Sequence, residues 1–395
     1  MNGWTQELER SLQTLEEADM LRSLNTTTVL DGAHIAHEGK KYFNLISNDY
    51  LSLASDPNLQ EQFYAQQQDC PQAYRTSATA SRLLGGNHLP YEALEQSISR
   101  RYQKPAALFY NSGYHANLGI LPALAEKGDL ILSDKLNHAS MIDGMRLSAA
   151  DLIRYRHLDY EHLEKILQQK RHLYKRVFIV TESIFSMDGD IADLATLVRL
   201  KQAYDTLLYV DEAHAVGTSG SLGMGEAEQQ GVIADIDLLL CPLGKAMASY
   251  GAWLVCEQAV KDILVNRSRT LIFSTALPPV NIHWTAYIWE RMPSFNDKRE
   301  QLKNTSQLVR EAIAHLGYEM PSQSHIVPII TGEVSHTVAL ANQLKEEGFW
   351  VLPVRPPTVP KGKARLRMSI TDSMNIEDFT PLFQLLEKTT TFKKP

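Results

Sequence analysis

The fold is constrained most by a stretch that reads LLYVDEAHAVG and, after a linker, DIDLLLCPLGKAMASYGAW. Residues 207–210 form an apolar run that suits a buried strand and is too short for a helix. This run leads to Asp211 and then to His214, and a second run, residues 236–241, leads to Lys245. Because ligands bind outside the carboxyl ends of strands in open α/β sheets, we expect these three side chains to face one crevice.

These three residue types suit the chemistry of pyridoxal 5'-phosphate (PLP). A lysine whose pKa is lowered by burial or by neighbouring cations can form a Schiff base. PLP requires such a lysine and a carboxylate partner for its pyridinium nitrogen. Lys245 and Asp211 are candidates for both roles, and His214 could contact the ring hydroxyl. A lone lysine after glycine is usually solvated, and an aspartate at a strand end is often a helix N-cap, so only the combination favours a PLP site.

Composition excludes several other classes of protein. The chain has 395 residues, of which 44% are hydrophobic, so it can bury a sizeable core in more than one domain. A net charge of −7 with interspersed signs argues against a nucleic-acid-binding protein. The three cysteines, Cys70, Cys241 and Cys256, lack a C-x-x-C spacing, so neither a disulfide framework nor a metal site is indicated. No apolar run approaches the roughly 20 residues of a membrane span, and the N-terminal segment lacks the apolar region of a signal peptide, so we expect a cytoplasmic location without membrane association.

The order of the predicted elements suggests two domains and an arm. Strands alternate with helices as far as about Cys241, which predicts a mostly parallel sheet with helices on both faces. A long helical pattern follows, and then a mixture of strands and helices. We predict an N-terminal helical arm (1–45), in which a helix covers residues 4–24, a large domain (46–280) and a C-terminal α+β domain (281–395).

The motifs VDEAHAVG and GKAMASYGA resemble those of the α-oxoamine synthases, which are PLP enzymes of the aspartate aminotransferase fold (fold type I). The resemblance extends from SNDYLSLA at residues 47–54 to RPPTVPKGKARLRMS at residues 355–369. It implies an aminotransferase-type α/β large domain with a mostly parallel sheet and a smaller C-terminal α+β domain. It also implies a homodimer with shared active sites.

The resemblance implies roles for individual residues. The catalytic group would comprise Lys245 as the Schiff-base lysine, Asp211 at the pyridine nitrogen and His138, of the motif D-x-x-x-H-A-S, stacked on the ring. Alone, His138 would more often be a helix-terminal or core residue. Further PLP contacts are implied for His214, for Ser186 at the ring hydroxyl, for Ser112, Gly113 and Tyr114 at the phosphate, and for Ser274 and Thr275 at the phosphate of the neighbouring subunit.

Substrate-binding residues are implied near both ends of the chain. The segment ARLRMS places Arg365 and Arg367 on one face of a strand, and arginine can grip a carboxylate through two hydrogen bonds. By its position in the family, Arg367 would bind the amino-acid carboxylate. Asn48 would border the active site, and Arg22 would bind the far carboxylate of the acyl substrate. Without the resemblance, paired surface arginines, a turn asparagine and a solvated arginine are the ordinary explanations.

Three features depart from the family pattern. Pro242 stands three residues before Lys245, where the family usually has a threonine that contacts the phosphate. The loop at residues 75–87 has fewer glycines, and Tyr91 stands where the family often has histidine. These departures concern contacts to the cofactor and leave the expected fold unchanged.

The resemblance implies condensation of an amino acid with an acyl thioester, followed by loss of CO2. The segment RPPTVP favours the family members that use L-alanine and a pimeloyl thioester. Enzymes of the glycine C-acetyltransferase, 5-aminolevulinate synthase and serine palmitoyltransferase types share the same catalytic residue types and stay open as alternatives. A catalytically silent cofactor-binding protein is a further alternative, which Pro242 and the altered loop suggest.

Overall fold

The computed structural model describes residues 3–389, and the chain divides into two compact units. The large unit comprises residues 56–186 and 190–300, and the small unit comprises the described residues up to Ser55, residues 187–189 and those from Gln301 onward. Within residues 3–389, none of the helices combines the length and apolarity that a membrane crossing requires. The predicted domain boundaries at residues 45 and 280 stay a prediction.

The helices are α1 (Gly3–Glu17), α2 (Pro57–Gln66), α3 (Leu89–Tyr102), α4 (Gly113–Leu124), α5 (Ala139–Leu147), α6 (Tyr160–Lys170), α7 (Leu194–Tyr204), α8 (Glu226–Gln229), α9 (Gln258–Arg267), α10 (Arg269–Ile272), α11 (Pro279–Arg291), α12 (Asn296–His315), α13 (Val334–Glu346) and α14 (Thr380–Lys388). The strands are β1 (Thr28–Val29), β2 (His34–His37), β3 (Lys40–Asn44), β4 (Ala106–Tyr110), β5 (Leu130–Asp134), β6 (Asp151–Tyr155), β7 (Val177–Glu182), β8 (Leu207–Asp211), β9 (Leu238–Pro242), β10 (Ala252–Cys256), β11 (Ile326–Gly332), β12 (Phe349–Trp350), β13 (Pro353–Val354) and β14 (Ala364–Ser369).

The large unit contains a seven-stranded sheet in the order β4-β10-β9-β8-β7-β5-β6. Neighbouring strands from β6 to β9 are parallel, whereas β10 runs antiparallel to both β9 and β4. Every residue of β4, β5, β7, β9 and β10 is buried, which explains why these strands are continuous apolar runs in the sequence. The predicted mostly parallel sheet is confirmed.

The register of the sheet brings polar residues together at one edge. Asp134, Glu182 and Asp211 are the last residues of β5, β7 and β8, and Glu182 is the direct neighbour of Asp211. At the same edge, α4 begins after the N-cap Ser112, and α5 begins after the N-cap His138. The carboxyl ends of parallel strands and two helix N-termini therefore meet there, as in other open α/β sheets.

The small unit contains two sheets. Strands β1, β2 and β3 are antiparallel neighbours, and β12 pairs with β3 in parallel. The other sheet is antiparallel in the order β11-β14-β13. The stretch from Phe349 to Val354 is divided between the two sheets, because Phe349 and Trp350 pair with β3 whereas Pro353 and Val354 pair with β14.

The N-terminal helix is shorter than predicted. It ends at Glu17 instead of continuing to Leu24. Asp19 adopts a left-handed backbone conformation with φ 56°, and the N–H of Met20 donates to the carbonyl of Leu15 at 2.7 Å. A left-handed residue beyond the last turn terminates a helix, which the apolar spacing of the sequence does not reveal.

The buried sheet predicts a large difference between two leucine truncations in the large unit. Leu240 on β9 is fully buried, whereas Leu147 at the end of α5 is 65% exposed. We expect Leu240→Ala to lower the free energy of unfolding by about 2–5 kcal/mol, because it leaves a cavity in the core. Leu147→Ala is the matched control and should change it by less than about 0.5 kcal/mol. Equilibrium unfolding in urea measures both, and equal losses would contradict the assigned burial.

Candidate active site

A buried carboxylate lies at the centre of the site in the large unit. Asp211 is 3% exposed. Its Oδ1 accepts a hydrogen bond from the backbone N–H of Ala213 at 2.9 Å, and its Oδ2 accepts one from the side-chain amide of Asn117 at 2.9 Å. Burying a charge without partners is costly, and these two donors offset that cost. The two donors therefore hold the carboxylate of Asp211 in one orientation at the end of β8.

Asn117 connects this carboxylate to His138. The hydroxyl of Tyr209 donates to Asn117 Oδ1 at 2.6 Å, and Asn117 Nδ2 also donates to Ser140 Oγ at 3.0 Å. Ser140 Oγ lies 2.7 Å from His138 Nδ1, and the Ser140 N–H donates to the same nitrogen at 3.3 Å. Nδ1 is therefore an acceptor, so a neutral His138 carries its proton on Nε2. Sequence reasoning missed Asn117, although it lies one helical turn beyond Gly113 on α4.

The pKa of His138 agrees with a neutral ring. Burial lowers the pKa of His138 below its usual value, the charge of Asp211 opposes that effect, and the charge of Lys245 adds to it. Its backbone N–H donates to Glu182 Oε1 at 2.6 Å. Burial, together with the charge of Asp211, raises the pKa of Glu182 well above its usual value. Burial thus favours the neutral form of the Glu182 carboxyl, whose oxygen holds the backbone of His138 in place.

Lys245 lies in the turn between β9 and β10 and is half-buried. This turn is closed by backbone hydrogen bonds from Ala248 to Lys245 at 2.8 Å and from Ser249 to Leu243 at 3.1 Å. The ammonium is close enough to lower the pKa values of both His138 and Glu182 through its charge. The fold therefore brings together the three residues predicted to be catalytic.

His214 and Ser186 follow two neighbouring strands of the sheet. His214 is buried in the turn after β8, where its carbonyl accepts a hydrogen bond from the hydroxyl of Thr218 at 3.0 Å. Ser186 is half-buried in the segment after β7. Both lie beyond carboxyl strand ends, which agrees with their predicted positions; their contacts to a cofactor stay a prediction.

The N-terminus of α4 has the features of a phosphate site. Ser112 Oγ accepts the N–H of His115 at 3.1 Å, and the first N–H groups of a helix have no partner within it. A Cβ atom at Gly113 would lie 2.7 Å from Cγ of Pro242, so only glycine fits at this point. The side chain of Tyr114 is 48% exposed, and its hydroxyl donates to Asp143 at 2.8 Å.

The second predicted phosphate segment lies in the same unit. The carbonyl of Thr275 accepts the side-chain amide of Asn111 at 2.7 Å, and Thr275 forms an isolated bridge with Ser81. Thr275 is exposed and Ser274 is half-buried, so their side chains are available at the surface of the unit. Their proposed contact with a neighbouring subunit stays a prediction.

The loop that departs from the family pattern is held by Arg82. Its guanidinium pairs with Glu95 at 2.6 Å, donates to Asn87 at 2.6 Å and lies 4.4 Å from the centre of the Tyr91 ring. Tyr91 is buried and donates to the carbonyl of Leu277 at 3.3 Å. Tyr91 thus serves as a core residue that supports this loop.

The residues present in the large unit fit PLP. The buried carboxylate of Asp211 and the imidazole of His138 suit the pyridine ring of PLP, and Lys245 suits its aldehyde. The N-terminus of α4, where Gly113 leaves no room for a Cβ atom, suits its phosphate.

In the small unit, the two arginines of β14 have different partners. Arg365 is buried and forms an ion pair with Asp188. Arg367 donates to Ser369 Oγ at 2.7 Å, to the hydroxyl of Tyr50 at 3.2 Å and to Asn48 Oδ1 at 3.3 Å, all of which are neutral oxygens. Because Arg365 is already paired with Asp188, Arg367 is the better candidate of the two for binding the carboxylate of a substrate.

Arg22 lies beside the proline-rich loop of the small unit. Its guanidinium donates to Thr358 Oγ1 at 3.1 Å. Arg355 donates to the backbone carbonyls of Asp19 and Leu21, which holds the segment that carries Arg22. Burial, followed by the positive charge of Arg22, lowers the pKa of Arg355. Sequence reasoning missed the support that Arg355 and Thr358 give to Arg22.

Known proteins are similar to this chain over nearly its whole length. Residues 40–380 match the family described as aminotransferase class I and II. A curated relative from Haemophilus influenzae (strain 86-028NP), which bears the provisional name 8-amino-7-oxononanoate synthase, is 50% identical over 379 residues, or 96% of this chain and 98% of the relative.

Two solved structures extend this similarity to the fold. The 8-amino-7-oxononanoate synthase of Francisella tularensis is 28% identical, with a TM-score of 0.75 over 88% of this chain and 97% of that chain. A variant of serine palmitoyltransferase solved with PLP is 25% identical, with a TM-score of 0.86 over 97% of this chain and 96% of that chain. These similarities confirm the predicted aminotransferase-type fold.

The buried network predicts the effect of removing Asn117. We expect Asn117→Ala to lower the free energy of unfolding by about 1.5–3 kcal/mol, because Asp211 loses a donor to its charge. Asn266→Ala is the matched control, since Asn266 is exposed and its side-chain amide donates to the carbonyl of Asp262 within its own helix. Urea unfolding at neutral pH compares the two variants. A loss no greater than that of the control would show that the network is not important for stability.

A second prediction concerns the acid stability of the small unit. Burial, followed by the charges of Arg367 and Arg310, lowers the pKa of His325 to about 3. The unfolded chain takes up a proton at the usual value of 6.5, so the stability from neutral His325 is lost as the pH falls below about 6.5. We expect the protonation of this histidine in the unfolded chain to lower the free energy of unfolding by about 2 kcal/mol when the pH falls from 8 to 5.

The variant His325→Asn should therefore lose less unfolding free energy than the wild type when the pH is lowered over this range. The exposed His315 provides the control, and His315→Asn should keep the pH dependence of the wild type. Urea unfolding at a series of pH values measures the slopes. Parallel slopes for His325→Asn and the wild type would contradict the buried neutral ring.

Proposed function

The chain belongs to the aminotransferase class I and II family and, within it, to the PLP-dependent α-oxoamine synthases, and from this premise we propose that it condenses L-alanine with a pimeloyl thioester. The thiol carrier is coenzyme A or a carrier protein, and the products are 8-amino-7-oxononanoate, CO2 and the free thiol. This reaction belongs to biotin biosynthesis, and we assign it to the cytoplasm. The similarity to a relative of that name over nearly its full length supports this choice of substrates.

One structural observation carries the proposal. His138 and Glu182 lie beside the hydrogen-bonded carboxylate of Asp211, within reach of the charge of Lys245, and burial lowers the pKa of His138 and raises the pKa of Glu182. When bound, PLP supplies an electron sink for the carbanion that forms at the α-carbon of alanine. Lys245 would hold the cofactor through a Schiff base and, once alanine has displaced it, would remove the α-proton.

The other residues of the large unit would orient the reacting groups. Asp211 would keep the pyridine nitrogen protonated, and Asn117 would hold Asp211 in position. His138 would cover one face of the ring and, through its Nε2 proton, assist the loss of CO2. The N-terminus of α4 would bind the phosphate. In a homodimer, Ser274 and Thr275 would bind the phosphate in the neighbouring subunit.

The small unit would bind the carboxylates of both substrates. Arg367, oriented by Ser369 and Tyr50, would bind the carboxylate of alanine, and Asn48 would line the same place. Arg22 would bind the far carboxylate of the pimeloyl chain. In the overall reaction, a bond forms between the α-carbon of alanine and the thioester carbonyl, and the C–S bond breaks. The bond to the alanine carboxylate then breaks, and a proton replaces CO2.

A sister activity with glycine or serine is the second candidate. The similarity of the fold to serine palmitoyltransferase favours it, because the lysine, aspartate and histidine are shared by the whole family. The proline-rich loop that holds Arg22 favours the pimeloyl reaction instead, since a second carboxylate on the acyl chain needs a cation.

The amino-acid preference tests the proposal. The PLP-loaded protein is mixed with pimeloyl-CoA and separately with L-alanine, glycine or L-serine, and thiol release and product mass are measured. We expect release only with alanine and a product with the mass of 8-amino-7-oxononanoate. Lys245→Ala should lose the visible absorbance of bound PLP and the turnover. Release with glycine or serine would assign the chain to a sister activity, and full turnover by Lys245→Ala would refute the proposed role of that lysine.

A further inference from the structure

A histidine outside the proposed catalytic group contacts two carboxylates in the large unit. His157 follows β6, and its Nδ1 lies 2.8 Å from Asp134 Oδ1 while its Nε2 contacts Asp190 Oδ2. The Asp134 side chain is fully buried, and the side chains of Asp190 and His157 are 13% and 22% exposed. The ring of His157 also packs edge-on against Phe185, with 4.5 Å between ring centres.

The geometry requires a positively charged ring. A neutral imidazole has only one N–H, so one of the two carboxylates would face a lone pair. Burial alone would lower the pKa of His157, but the hydrogen bonds to Asp134 and Asp190 raise it to about 10. Other titratable groups near these carboxylates include the phenols of Tyr155 and Tyr160, which are uncharged at neutral pH, and the carboxyl of Glu182, whose pKa the charge of Asp134 helps to raise. His157 is therefore a cation between two anions.

The first carboxylate controls the segment that leads to His138. Asp134 Oδ1 accepts the N–H of Leu136 at 2.8 Å, and Asp134 Oδ2 accepts the N–H of Leu158 at 2.9 Å. These bonds fix the turn after β5, and four residues after Asp134 the chain reaches His138, the N-cap of α5. The place of the His138 ring thus depends on Asp134.

The second carboxylate controls the segment that carries Ser186. Asp190 lies four residues after Ser186, and its carbonyl accepts the N–H of Phe185 at 3.0 Å. A bridge between Ile184 and Ile191 closes the same loop. An ion pair at Asp190 therefore limits where this loop, and Ser186 with it, can lie.

We propose that His157 is a positioning residue for the cofactor site, because its cation joins the segment that carries His138 to the segment that carries Ser186. It thereby sets the separation between the imidazole that covers the ring and the hydroxyl that meets the ring oxygen. The inference rests on the proposed PLP function and adds to it a residue from outside the family motifs quoted above. Two ion pairs that share one cation hold both segments with a single side chain.

The test uses the full-length protein and measures PLP itself. For His157→Gln, we expect the dissociation constant of PLP to rise by about 10-fold and the visible circular dichroism of bound PLP to weaken. The reason is that the segments that carry His138 and Ser186 would no longer be held in place around the PLP ring. We expect kcat to fall by roughly 10- to 100-fold, whereas KM for alanine should change by less than about 3-fold, since Arg367 and its partners are unaltered.

Two controls separate positioning from general stability. His172→Gln makes the same change at an exposed histidine of the large unit and should match the wild type. Leu240→Ala destabilises the core without touching His157 and shows what a loss of stability alone does to PLP binding. If His157→Gln does not fold, Asp190→Asn is used instead, because it removes one of the two ion pairs and leaves the His157 ring in place. It should weaken PLP binding and its circular dichroism in the same direction.

The outcomes are distinct. The inference would be overturned if His157→Gln had the same PLP affinity, circular dichroism and kcat as His172→Gln. It would also be overturned if His157→Gln changed these three quantities no more than Leu240→Ala does when both variants lose the same amount of unfolding free energy. The double variant His157→Gln with Asp190→Asn should bind PLP no more weakly than His157→Gln alone. A wild type that binds PLP but does not condense alanine would refute the proposed reaction, while PLP affinity and circular dichroism would still decide the role of His157.

Discussion

The buried carboxylate of Asp211 is the constraint on which the rest of the site depends. A carboxylate that is 3% exposed needs hydrogen-bond donors, and the backbone after β8 and the Asn117 amide of α4 supply two of them. Asn117 can reach Asp211 only if α4 packs across the carboxyl ends of the strands. That packing places the N-terminus of α4 at the same edge of the sheet as Asp211, and through Ser140 it selects the tautomer of His138. One polar contact thus positions the start of α4, the carboxylate of Asp211 and the proton of His138 together.

Sequence reasoning identified the residues that follow strands, because a run of apolar residues and its end are local features. Asp211 and Lys245 were found in this way, and the parallel sheet followed from the alternation of strands and helices. Asn117 was missed because its role arises only when a helix packs on a sheet. The direction of β10 depends on its pairing with β9 and with β4, and β4 is far away in the sequence. The end of α1 was missed because a left-handed Asp19 has no periodic signal.

The arginines of β14 show why spacing alone cannot assign a role. Arg365 and Arg367 are two residues apart and therefore lie on the same face of the strand, so their spacing does not distinguish one from the other. Asp188, which is far from them in sequence, pairs with Arg365 and neutralises it. Arg367 donates to hydroxyl and amide oxygens, which orient its guanidinium. The two arginines therefore differ in their partners, which the spacing in the sequence does not reveal.

The close packing of Gly113 against Pro242 also bears on how the chain tolerates change. The Cβ atom of Pro242, and not only its ring, would lie 2.8 Å from a Cβ at position 113. Any residue with a Cβ at position 242 would therefore demand the same glycine, whether it is proline or the threonine usual in the family. A substitution at position 242 can therefore add or remove a hydroxyl group without disturbing the start of α4, as long as position 113 remains glycine.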